Sequence, residues 1–219
     1  MEINVVLRSR LDAMLMASLL SPEFPSIHFR FLAGDPLSPT NSSARTLLPI
    51  VDGREVEVQW LGRPMSSIYS AARTLLAVHQ EPVALVLDAG GTDPSIVSER
   101  RQAIQEVIGE AALRAPFHLL LAVPALQSLL FTRPALIVRA FGEGADEGGR
   151  VTEIGLLSPL AAYKKHKPVE PEASTAAQLI ACLDADDIAE IRQEPPIREF
   201  IDFVTKFGSP VATAASPAP

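Results

Sequence analysis

The chain has 219 residues, 47% of them hydrophobic, a net charge of −7 and a single cysteine. A chain of this length buries about 70% of its unfolded surface, enough for a full core without staples, and one cysteine excludes an internal disulfide or a cysteine-rich metal site. The negative balance argues against a protein that grips nucleic acid by its overall field. The first residues lack the basic and apolar regions of a signal peptide, and no apolar run approaches the ~20 residues of a membrane span. The expectation is a soluble cytoplasmic protein with no membrane partner.

Ile3–Leu7 reads as a first strand. Leu11–Leu20 is apolar on nearly every side and reads as a buried helix, capped by Ser9 or carrying Asp12 in its first turn. Ile27–Leu32 alternates as a second strand. Asp35–Ser43 is rich in Pro, Ser and Asn and reads as a loop. Asp52-Gly53 between two alternating runs predicts a hairpin over Leu47–Trp60, an insertion on or beside the main sheet. Ser66–His79 has a helical period, with Ser66 as its cap. Val83–Leu87 is an apolar run that ends at Asp88 and the Gly90-Gly91 pair, the profile of a strand buried on both faces. Asp93-Pro94 starts a long amphipathic helix to Ala112, with Ile96, Val97, Ala103, Ile104, Val107 and Ile108 facing in. Phe117–Val123 is a further strand.

Strands separated by helices predict an α/β fold with a parallel sheet flanked by helices, and such sheets place ligands beyond the C-terminal ends of their strands. Later elements are short: a helix at Ala125–Phe131, another at Pro134–Phe141 whose ALIV composition would also suit a strand, a flexible GEGADEGG loop, and a solvated connector at Tyr163–Glu172. Three helices follow at Ala173–Leu183, Asp186–Gln193 and Ile197–Phe207, with Asp184 and Pro196 as start signals. The organisation expected is a core over 1–131 with an insertion at 35–65, a small C-terminal helical extension over 132–207 and a disordered tail over 208–219.

Cys182 sits on an apolar helix face and reads as a buried structural thiol. His28, His79, His118 and His166 show no ligand spacing. Asp88 is either a ligand at the strand end or an acceptor for backbone amides. Asp93 caps the following helix or joins a metal site. Gly90 and Gly91 form a tight turn or a phosphate cradle, and Arg8 and Arg10 are surface charges or anion contacts.

Three segments, VVLRSRLDAMLMASLL, VALVLDAGGTD and FHLLLAVPALQSLLF, resemble the Toprim domain of topoisomerases, bacterial primases, recombination proteins and overcoming-lysogenization-defect nucleases. The C-terminal IAEIRQEPPIREFIDFV resembles the closing helices of small stand-alone Toprim-like proteins. The resemblance implies a Rossmann-like core and a Mg²⁺-dependent phosphodiester site built from carboxylates. The chain departs from that pattern. Arg8 stands where the family has its general acid/base glutamate, with Ser9 in place of the glycine. Asp12 and Asp88 match acidic positions, but Gly90 replaces the second aspartate of the Asp-x-Asp motif, and Gln127 replaces the glutamate of Pro-x-Leu-Glu. Arginine cannot accept a proton at neutral pH and repels a metal in the same cleft.

The expectation is a degenerate, catalytically inactive Toprim-like binding or regulatory module with a protein partner and no cofactor, linked by the resemblance to nucleic-acid metabolism or phage defence. The alternatives are a Mg²⁺-dependent phosphodiester enzyme rebuilt around Asp88, Asp93 and Asp12, and a nucleotide- or anion-binding protein using Arg8, Arg10, Gly90 and Gly91. An ion pair between Arg8 and Asp88 would occupy the site without metal.

Overall fold

The computed structural model describes residues 1–34, 45–50, 54–61, 65–166 and 172–208. The strands are β1 (Glu2–Leu7), β2 (His28–Ala33), β3 (Arg45–Pro49), β4 (Glu55–Trp60), β5 (Val83–Asp88) and β6 (Phe117–Ala122), in one sheet of order β3-β4-β2-β1-β5-β6. All neighbours are parallel except β3, which runs antiparallel to β4. The predicted hairpin is therefore part of the sheet. β4 extends it beside β2, with Phe31 opposite Val58 and Ala33 opposite Trp60. The expected parallel sheet becomes a mixed one, because β4 offers its second edge to the antiparallel β3.

β1 and β5 are central. Their side chains are buried on both faces, which is why β5 reads as a continuous apolar run rather than an alternating one; β1 does so except at the buried Asn4, whose side-chain amide donates to Glu81 and to the Pro82 carbonyl. The first helix, α1 (Arg10–Leu20), links β1 to β2. It is buried from Asp12 to Leu20, lodged between the sheet and the C-terminal helices, and this demands an apolar surface all round. The chain then reverses direction across the sheet. α2 (Met65–Thr74), prolonged by a π turn at Leu75–His79, and α3 (Pro94–Ile108) cover the opposite face. Crossovers of one hand require this change of face when the strand order reverses.

The C-terminal part is α4 (Pro134–Phe141), α5 (Arg150–Leu157), α6 (Pro159–His166), α7 (Glu172–Ala181), α8 (Ala185–Ile191) and α9 (Pro195–Thr205). These helices share one apolar cluster with α1 and the sheet, in which Leu7, Phe31, Leu136 and Phe200 all take part. Asp184 caps α8 in a reciprocal capping box with Asp187, and Asp187 also pairs with Arg133 and Arg139.

Several expectations change. Tyr163 belongs to no solvated connector. It is buried in α6, which starts at Pro159 after Ser158. The GEGADEGG stretch contains a 3₁₀ turn, Glu147–Gly149, and the Asp146 carboxylate accepts from the Val151 and Thr152 amides to start α5. The long helix stops at Gly109, where φ is +54°, and a 3₁₀ turn follows. α3 meets the sheet through a narrow stripe of Val97, Ile104 and Ile108, so Ile96, Ala103 and Val107 are exposed rather than inward. The helix expected at Ala125–Phe131 is a 3₁₀ segment, Leu126–Thr132. The expected loop at Asp35–Ser43, the Asp52-Gly53 turn, the Ser66 side chain, Lys167 and the tail beyond Gly208 lie outside the described residues.

Candidate functional site

β2 and β5 flank β1 on opposite sides, so the strand order switches at the boundary between β1 and β5. The crevice beyond the C-terminal ends of such a pair is where open α/β sheets bind ligands. Arg8 immediately follows β1 and Asp88 ends β5, so the two face each other across this switch point.

Arg8 Nη1 donates to Asp88 Oδ2 at 3.0 Å, and the Leu126 amide donates to Asp88 Oδ1 at 2.9 Å. Both carboxylate oxygens of Asp88 are thus engaged, and its side chain is 13% exposed against 55% for Arg8. The loop that supplies the Leu126 amide is fixed by its neighbour. The Gly90 amide donates to the Pro124 carbonyl at 2.9 Å, and Gly90 takes φ +81°, a conformation that favours glycine. Its amide is therefore committed to this turn, not directed at a phosphate.

Beneath the ion pair lies a chain of side-chain hydrogen bonds. The Ser9 hydroxyl caps α1 by accepting from the Asp12 amide and donates to Asp12 Oδ2 at 2.7 Å. Gln127 Nε2 donates to Asp12 Oδ1 at 3.2 Å, and the Tyr163 hydroxyl donates to Gln127 Oε1 at 3.2 Å. Asp12 is only 3% exposed. Burial, followed by the Asp88 charge, pushes its carboxyl up to about 6, against the opposing pull of Ser9, Gln127 and Arg8. Burial and the Asp12 charge also raise the Tyr163 phenol, which keeps it a protonated donor.

The structure therefore brings together Arg8, Asp12, Asp88 and Gln127 from the three segments singled out in the sequence. Asp93 takes another role: it caps α3, accepting from the Ser95 amide at 2.8 Å and hydroxyl at 2.7 Å, and these bonds lower its carboxyl below the usual range. Arg10 is exposed in the first turn of α1, and Gly91 sits in the open turn after β5. Sequence reasoning missed Tyr163 and the Leu126 amide. The Ser158-Pro159 pair, a helix-start signal, could have drawn Tyr163 into a helix, whereas no local pattern announces which amide a distant carboxylate will meet.

Among the described residues, no three of His, Cys, Asp and Glu gather as a metal-holding group. The Mg²⁺ that the resemblance implies does not fit the residues present. Asp88 is satisfied by protein donors, Asp12 is sealed under Gln127, and Gly90 brings no side-chain oxygen. What the arrangement presents outward is cationic: the half-exposed Arg8 guanidinium and Arg10. No family model, curated protein or solved structure matches this chain.

Proposed function

We propose that this chain is a Toprim-like protein whose crevice is closed by an arginine, and that it works as a binding or regulatory module for a protein partner rather than as a phosphodiester-cleaving enzyme. Its setting in nucleic-acid metabolism or phage defence rests on the resemblance alone. The observation that carries the reading is the Arg8–Asp88 ion pair at the switch point, where a cation-dependent enzyme needs converging carboxylates. The guanidinium places a fixed positive charge there and removes the proton acceptor.

The test is a thermal melt against increasing Mg²⁺ or Mn²⁺, run beside a nuclease assay. The expected result is no metal-dependent rise in melting temperature and no cleavage. A rise that Asp88→Ala abolishes, together with metal-dependent cleavage, would sink the reading in favour of a rebuilt site at Asp88, Asp93 and Asp12.

The exposure of Arg8 favours a second reading, anion binding by Arg8 and Arg10. In that case inorganic phosphate or a nucleotide raises the melting temperature of the wild type, and Arg8→Ala removes the rise.

A further inference from the structure

The last helix, α9, is held to the last strand of the sheet by a histidine. β6 ends the sheet, and α9 packs on the face of β6 that carries His118, Leu120 and Ala122. The His118 ring stacks on Phe203, with 5.3 Å between centroids and 21° between planes, and meets Phe200 edge-on at 5.7 Å and 81°. Its Nε2 is buried and has no hydrogen-bond partner among the described residues. A neutral imidazole tolerates this, because it can carry its proton on Nδ1 and leave Nε2 a bare acceptor. A protonated ring cannot. It places a charged N–H at Nε2, where no acceptor replaces the water that the group has lost. The face of Phe203 attracts a cation but does not supply that acceptor.

The charges around the ring do not reverse this. Glu199 on α9 favours the protonated form, Lys206 beyond α9 and Arg101 on α3 oppose it, and all three are exposed. The β5 residue opposite His118 is Ala84, which carries no charge. Burial is the largest influence and holds the imidazole below its ordinary 6.5. We propose that His118 makes the docking of α9 acid-sensitive: the neutral ring latches the helix to β6, and protonation loosens it, uncovering Phe200 and Phe203 while the sheet stays paired. All six strands precede α9 in the chain, so the helix can open without breaking the ladder between β5 and β6. A base whose pKa is lowered by docking takes up its proton more readily once released. Docking is therefore full above about pH 6.5 and weakens as pH falls below that value. The buried Asp12 carboxyl acts in the opposite direction, since it favours the native state towards acid. The proposal does not depend on the fate of the Arg8–Asp88 crevice.

Amide hydrogen exchange on the full chain tests it, expressed as protection factors so that the intrinsic pH dependence of exchange is removed. From about pH 7.5 to about pH 5.5 the α9 amides are expected to lose about three- to tenfold in protection, one proton setting a ceiling of about tenfold per pH unit below 6.5. The β5 amides are expected to keep theirs. His118→Phe retains a ring against Phe203 and removes the titrating nitrogen, and His118→Gln removes it with a smaller, neutral side chain. In either variant that folds, α9 protection is expected to be the same at both pH values. A wild type whose α9 protection does not change with pH overturns the proposal. So does a His118 variant that keeps the wild-type pH dependence, or a wild type whose β5 amides lose protection in parallel with those of α9, because the sheet then opens with the helix.

Discussion

Replacing Asp12 with asparagine should stabilise the protein at neutral pH, although it removes a buried carboxylate that accepts two hydrogen bonds. The reason is that burial and the neighbouring Asp88 charge outweigh those bonds, so ionised Asp12 costs more in the native state than in the unfolded chain. With the folded carboxyl at about 6 against 3.8 for the free group, the native state binds the extra proton in the interval between. Stability from this group is therefore greatest below about pH 4, falls as pH rises to about 6, and stays low above that. At about 1.4 kcal/mol per pH unit, the penalty reaches about 3 kcal/mol once Asp12 is fully ionised, an upper figure because the surroundings relax.

Asparagine keeps the shape and an acceptor for Gln127 Nε2, while its amide can donate to the Ser9 hydroxyl. Urea unfolding of wild type and Asp12→Asn at several pH values measures the difference directly, and other titrating groups largely cancel. The variant should match the wild type near pH 4 and exceed it by about 1–3 kcal/mol at pH 7.5. A difference that does not change with pH, or a variant less stable at pH 7.5, would refute the reasoning.

Gly155→Ala should destabilise by about 1–3 kcal/mol in urea unfolding, because a Cβ there would clash with the fully buried Phe131 ring and force the ring or the helix to shift. Arg8→Ala should cost less than about 1 kcal/mol, since its guanidinium is more than half exposed, whereas Asp88→Ala should cost about 1–3 kcal/mol by leaving the Leu126 amide without its acceptor. Equal losses in the two variants would show that the ion pair, not the amide, holds Asp88. Tyr163→Phe should cost about 1 kcal/mol through the lost bond to Gln127 Oε1, and an unchanged midpoint would remove Tyr163 from the buried chain.

Much of the fold is legible in the chain because its signals are local. The apolar run of β5, the largely apolar α1 and the start signals at Ser9, Asp93 and Asp184 each depend on the solvent exposure of one segment and on hydrogen bonds within a few residues. The same kind of reasoning misplaced Ile96, Ala103 and Val107, because a helical period says which residues share a face but not how wide a face the sheet will cover. It also missed α6, whose short lysine-rich sequence looks solvated until Phe131 and Gln127 are known to lie against it.

For the site, the residue types at positions 8, 12, 88 and 127 were visible in the sequence, including the arginine where a carboxylate was expected. Only the tertiary structure decided that these four meet. Strand order is a non-local choice: β5 lies beside β1 rather than beyond β2, and that pairing brings Arg8 to Asp88 across 80 residues of chain. It also decided that Asp12 is a sealed carboxyl and not a surface one, since its burial comes from Gln127 and Tyr163, which are remote in sequence and adjacent only once the C-terminal helices close over α1.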